Sequence, residues 1–158
     1  MSRPTKVSVR LLREHPFFQD LAPRFRDCLG DCAALGKLQA GSYAFRKGEV
    51  AEACYLIRHG QVNLELPVAG NDTLVVDTLH DGDALGWSWL VPPYRVTLDA
   101  RVMTPTTVIR LDGACLRACI ETDDELGFTL YKLFKPIMAR QMAASRRQLQ
   151  QGLRACSG

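Results

Sequence analysis

No stretch of this chain approaches the roughly 18 to 20 continuous apolar residues that a membrane span requires, and the N-terminal MSRPTKVSVRLLREH carries charges where a signal peptide needs an apolar centre. The expected address is therefore the cytoplasm, with no membrane contact. Also missing are the GxxxxGK[ST] loop that cradles nucleotide phosphates, the HExxH pair that holds a catalytic zinc and the GxSxG turn that presents a serine nucleophile. Histidine is scarce: His15, His59 and His80 stand apart in sequence, which suits structural roles better than a metal-dependent catalytic cluster. No enzyme is expected. Internal repeats and low-complexity tracts are absent as well.

Neither sign of charge dominates, since a formal net charge of +3 is too mild to announce a nucleic-acid binder. The distribution is less even than the total. Lys132, Lys135, Arg140, Arg146, Arg147 and Arg154 fall in a terminal stretch without a single carboxylate, so the remainder of the chain is net negative. This cationic face is a solvated helix surface or a docking site for an acidic protein partner or nucleic acid.

What the chain does have is enough apolar material for one domain: 158 residues, 47% hydrophobic, predict a single folded unit over 1–158. The six cysteines (Cys28, Cys32, Cys54, Cys115, Cys119, Cys156) lack the secretory context of a disulfide framework and are expected to be reduced thiols. Cys28/Cys32 and Cys115/Cys119 are each one helical turn apart, a spacing that offers two ligands to one metal. Neither pair has the histidine and cysteine company of a closed zinc site, and no metal is assigned.

Helical patterning opens the chain. Val7, Leu11, Leu12, Phe17 and Phe18 form an apolar stripe bent by Pro16, and Pro23 starts a second helix whose face is Phe25, Cys28, Leu29 and Cys32. Helices are thus expected within 7–35, ended by Gly36. From Leu38 to Leu111 the texture turns to short β-branched runs punctuated by Gly41, Gly48, Gly60, Gly70-Asn71-Asp72 and Asp81-Gly82-Asp83. The candidate strands are 38–39, 42–45, 53–59, 61–67, 73–79, 84–85, 95–103 and 106–112, which fit an eight-stranded antiparallel β-roll of the jelly-roll type over 38–112. Helical spacing returns over 113–153. Thr122-Asp-Asp-Glu125 reads as a capping box, Leu126, Leu130, Leu133 and Ile137 as one stripe, Phe134, Met138, Met142 and Leu149 as its neighbour, and Pro136 as a kink or break.

The segment Gly82 to Arg95, GDALGWSWLVPPYR, is the most informative in the chain. Gly86 opens a short turn whose free amides suit an anion, and Arg95 offers a cation.

This order of parts resembles the cyclic nucleotide-binding domain, and within it the sensor half of the Crp/Fnr-type regulators. The residues that carry the likeness are Leu12–Phe18 (LREHPFF), Ala40-Gly41, Arg46-Lys-Gly-Glu49, Tyr55-Leu-Ile-Arg-His-Gly-Gln-Val62, Asp81-Gly-Asp83 and Leu85-Gly86, within a span from about Leu11 to Leu149. The resemblance implies a phosphate-binding cassette of Gly86, Trp87, Ser88, Trp89, Tyr94, Arg95 and Thr97. In the family a glutamate follows the cassette glycine and accepts a hydrogen bond from the ribose; here that place is Trp87, whose indole can only donate. Strict alternation puts Tyr94, Val96, Leu98 and Ala100 on one face and Arg95, Thr97, Asp99 and Arg101 on the other, so Arg95 turns from the ligand unless a bulge resets the register. Trp87 and Trp89 either stack on a flat ligand or fill the space a nucleotide would take. Ser88 either donates to phosphate or caps the turn, and Glu49 is expected to steady its own turn.

The resemblance implies a non-enzymatic, ligand-sensing regulatory module. A small anionic or nucleotide ligand is expected, cyclic AMP or cyclic GMP being the candidates, bound weakly or replaced by a different ligand; no other cofactor is assigned. The alternative is a ligand-free domain serving as a dimeric interaction scaffold. The long terminal helix pairs two subunits in that family, so a homodimer through this helix is expected, and the chain's ending at Gly158 predicts no DNA-binding module.

Overall fold

In the structure, a computed structural model, residues 6–68, 70 and 72–157 are described. The readings above that concern Asn71 and the side chains of Val7, Arg154 and Cys156 lie outside what is described.

Helix α1 (Lys6–Glu14) is followed by a 3-10 turn (Pro16–Phe18) and by α2 (Pro23–Gly30), with Pro23 at the start of the helix, where a missing amide costs nothing. His15 is the cap between the first two: its Nδ1 accepts from the Phe17 amide at 3.2 Å, while Nε2 lies 2.9 Å from the Ile57 carbonyl and so must carry the proton. Burial holds this imidazole below its ordinary pKa.

Eight antiparallel strands then build the roll: β1 (Ala33–Leu38), β2 (Tyr43–Phe45), β3 (Ala53–His59), β4 (Val62–Pro67), β5 (Thr73–Leu79), β6 (Ala84–Leu85), β7 (Asp99–Val102) and β8 (Thr106–Asp112). They form two four-stranded sheets, ordered β1-β8-β3-β6 and β2-β7-β4-β5, and the jelly-roll expectation holds. Ile57, Val62, Leu64, Leu79, Leu85 and Val102 face inward between the sheets, while the outer side of the first sheet packs through Leu56, Ile109 and Leu111 on the helices. Gly60, at φ 136°, makes the β3–β4 turn possible, because a Cβ there would stand 2.8 Å from the Thr106 Cα.

Two segments leading into or within the roll differ from expectation by more than a residue. Helical structure stops at Gly30 rather than Gly36, and 33–38 pairs with β8 from Ala33↔Leu111 to Leu38↔Thr106. The alanine and cysteine text reads as helix, but sheet pairing outweighs so weak a local preference. Conversely, the strand expected over 95–103 is regular only from Asp99. Arg95 makes one isolated bridge to Val50, and Val96 exchanges backbone bonds with the 46–49 turn instead of a ladder.

Helix α3 (Gly113–Thr122) is capped by Asp112, which accepts from the Cys115 amide at 3.0 Å. Helix α4 (Asp124–Ser157) begins not at a Thr122 capping box but at Asp123, whose carboxylate accepts from the Glu125 and Leu126 amides; Thr122 bonds back to the Cys119 carbonyl. Pro136 lies inside α4 without splitting it. Leu126, Leu130, Phe134 and Met138 are buried on the domain itself, leaving Phe128, Tyr131, Met142 and Leu149 exposed.

The expectation of reduced thiols is also corrected. Cys28–Cys119 and Cys32–Cys115 are disulfide-bonded, and Cys54 is free and buried. The pairing joins residues 91 and 83 apart in the chain, which one-turn spacing alone does not reveal.

Candidate functional site

The cassette connects β6 to β7 and packs against α3. At its entrance the Asp81 carboxylate accepts from the Gly60 amide at 2.8 Å and faces His59, contacts that keep its pKa below the usual carboxylate value. Gly86 follows β6 with φ 91°, and a Cβ there would meet the Ala53 carbonyl and the Phe45 ring at 3.4 Å each. The chain then makes a three-residue 3-10 turn, Ser88–Leu90, preceded by Trp87.

Trp87 does not lie open to a ligand. Its Nε1–H donates to Gln141 Oε1 on α4 at 2.9 Å, and Gln141 is 3% exposed. The Gln141 amide reaches Asp77 on β5 at 3.4 Å, and Arg140 pairs with the same carboxylate at 3.0 Å. A chain of polar contacts thus runs from cassette to α4 to the second sheet. Beneath the indole, the space bounded by Phe45, Leu64, Gly86, Trp87, Val96 and Gln141 has a volume of about 10 Å³. That is room for one water at most, against roughly 300 Å³ or more for a ligand pocket.

Trp89 is an inward anchor, 1% exposed, set edge-on to Phe134 of α4 at 5.6 Å and 82°. Phe134 meets Phe17 in turn at 5.0 Å, so aromatic packing ties cassette, α4 and the N-terminal helices together. The buried Cys54 thiol lies against the Trp89 indole, and burial pushes its pKa far above the normal range, which leaves it inert. Ser88 is buried in the same turn, where its carbonyl accepts from the Val91 amide.

The remaining cassette residues separate from this group. Arg95 is exposed and donates to the Gly48 carbonyl at 3.2 Å, away from the space under Trp87. Tyr94 adopts a left-handed φ of 61°, and its ring lies 4.7 Å beneath the guanidinium of Arg117, which also donates to the Trp89 carbonyl at 3.0 Å. Thr97 is exposed at the rim of the narrow space. Asp99 pairs with Arg46 at 3.6 Å and takes the Lys47 amide at 2.7 Å. Glu49 accepts from the Arg46 amide across its own turn. A wider hollow of about 270 Å³ lies beyond Phe45, and the acidic residues Glu49 and Glu52 in its lining do not suit a phosphate.

Gln141, Asp77 and Arg117 escaped the sequence reading. Gln141 sits three residues after buried Met138 and three before buried Ala144, and that inward spacing was its one visible signal.

The family model for the cyclic nucleotide-binding domain matches residues 35–123. Among solved structures, a protein from Geobacter metallireducens named for cyclic nucleotide binding is 26% identical, covers 94% of this chain and 99% of that one, and superposes with a TM-score of 0.67. The sensor domain of the transcriptional regulator DNR from Pseudomonas aeruginosa is 19% identical over 87% of this chain and 93% of its own, with a TM-score of 0.69. A cyclic nucleotide-binding domain from Methylobacillus flagellatus is 15% identical over 91% and 85%, with a TM-score of 0.74. At that level of identity these last two speak for the fold alone. No curated protein sequence matches the chain.

Proposed function

Because the chain belongs to the cyclic nucleotide-binding domain family, we propose that it is a non-enzymatic regulatory module whose switch is the contact between the cassette and α4. The observation that carries this reading is the Trp87–Gln141 hydrogen bond at 2.9 Å above a space of about 10 Å³. In the space under the indole there is no carboxylate for a ribose hydroxyl and no volume for a base. A cyclic nucleotide, or another flat anion, enters only when Trp87 leaves Gln141 and α4 shifts with it. Its affinity is then reduced by the small fraction of molecules already open. Ligand entry and α4 position thereby become one equilibrium, the requirement for a sensor. No described helix is long and apolar enough to cross a membrane, in keeping with the cytoplasmic address we propose.

Calorimetric titration with cyclic AMP and cyclic GMP tests the reading. The expected result is binding weaker than about 10 μM, roughly 7 kcal/mol, in the wild type, strengthened by Gln141→Ala. Tight wild-type binding that Gln141→Ala leaves unchanged would contradict it.

A second reading, a dimeric interaction scaffold, draws on the exposed side of α4. At about 100° per residue, Phe128, Tyr131, Met142 and Leu149 fall within a strip of roughly 60°. Such a strip suits a second copy of the same helix, while exposed Lys132, Lys135, Arg146 and Arg147 suit an acidic partner. Sedimentation of wild type against Phe128→Glu/Met142→Glu decides between a dimer that the charges dissociate and a monomer that they leave unaltered.

A further inference from the structure

Each one-turn cysteine pair is half a metal site, and the fold supplies the other half. Cys28 and Cys32, on and just after α2, face Cys119 and Cys115 on α3, with Cα separations of 6.4 Å and 5.5 Å across the two bonded pairs. The two disulfides lie side by side: Cys32 Sγ is 3.9 Å from Cys119 Sγ, and the sulfurs of Cys32, Cys115 and Cys119 all fall within 4.8 Å of one another.

We infer that in the reduced chain Cys28, Cys32, Cys115 and Cys119 form a four-thiolate site for a single soft divalent cation of the zinc type. Metal–sulfur bonds of about 2.3 Å in a tetrahedron set thiolates about 3.8 Å apart, the separation that Cys32 and Cys119 already have. A multi-iron cluster spreads its thiolates further. The donor set is sulfur alone, which selects zinc-like ions over magnesium or calcium. Cys32 and Cys119 are buried, whereas Cys28 and Cys115 are half-buried, so the ligands are shielded and the ion still has a way in. Cys115 is also the third residue of α3, where the first-turn amides favour a thiolate.

Disulfide and metal forms exclude each other. Two equivalents of a dithiol reductant carry four electrons to the two disulfides and become two disulfides themselves, leaving four protein thiols. Zinc then displaces four protons to solvent as four Zn–S bonds form. In either form α2 is tied to α3, the helix whose Arg117 holds the cassette backbone.

The test uses the full chain, reduced and kept free of oxygen, titrated with Co²⁺ and then Zn²⁺. Expected are ligand-field bands of a tetrahedral tetrathiolate that saturate at one Co²⁺ per chain and are erased by one Zn²⁺. Zinc should also protect four of the six cysteines from a thiol reagent. Cys54→Ala should leave binding intact, and Cys32→Ser/Cys115→Ser, checked for folding by circular dichroism, should weaken it at least 100-fold. A count of reactive thiols that zinc leaves unchanged, with no Co²⁺ bands, would overturn the proposal in the wild type alone, whatever the variants do. So would an iron–sulfur chromophore, or a site that survives in the folded double variant.

Discussion

The contact between Trp87 and Gln141 makes a prediction that a double-mutant cycle reads directly. Gln141 is 3% exposed and its carbonyl oxygen accepts the indole proton at 2.9 Å. Gln141→Leu keeps the packing but leaves the indole donor facing hydrocarbon, and Trp87→Phe leaves the amide oxygen without its donor. Stranding one member of a desolvated pair costs about 1–3 kcal/mol, more than the roughly 1 kcal/mol that a hydrogen bond contributes net. Each single variant should therefore lose about 2 kcal/mol, or about 4–8 °C in melting temperature for a domain of this size. The double variant strands neither group, so it should fall short of the summed losses by about 1 kcal/mol or more. Urea unfolding of the four proteins measures this, with unchanged m-values as the check on two-state behaviour. Strict additivity, within about 0.5 kcal/mol, would refute the idea that cassette and α4 are joined through this bond.

Three further outcomes follow from neighbouring contacts. Trp89→Ala should cost about 3–5 kcal/mol by denaturant unfolding, since its buried ring packs on Phe134 and the site cannot collapse; a loss under about 1 kcal/mol would mean a ring that is not part of the core. His15 is held neutral by burial between the Phe17 amide and the Ile57 carbonyl, within reach of the charges of Asp83 and Arg58, and its pKa is lowered, so the unfolded chain takes up the proton first. Its contribution is full above about pH 6.5 and is lost as pH falls below that value, a decline in melting temperature that His15→Gln should flatten. Asp123→Ala removes the acceptor for two amides at the start of α4 and should cost about 1 kcal/mol in thermal unfolding.

Much of the roll was legible because its strands are bounded by residues with positional meaning. The expected limits of β3, β5, β6 and β8 coincide with those observed, each run followed within two residues by glycine or aspartate. Strand β1 was not legible, because Ala33, Ala34 and Leu35 state no preference that a helix would not share and β8 decides the matter. The glycine framework of the cassette was visible, and so was the replacement that matters, an indole donor where the family has a carboxylate. The consequence was hidden: the acceptor for Trp87 lies 54 residues away on a helix whose sequence is marked by its leucine stripe. The cysteines repeat that lesson, since spacing displays half-sites and only the approach of α2 to α3 joins them.

The most direct measurement is of the Trp87 indole proton, one of just two in the chain. In a ¹H–¹⁵N spectrum, assigned with Trp87→Phe, that proton should exchange slowly with solvent, as should that of the buried Trp89. It should turn to fast exchange in Gln141→Ala and on saturation with a ligand that opens the cassette. A Trp87 indole that exchanges at the rate of a free side chain in the wild type, and ignores Gln141→Ala, would contradict the closed cassette on which the account stands.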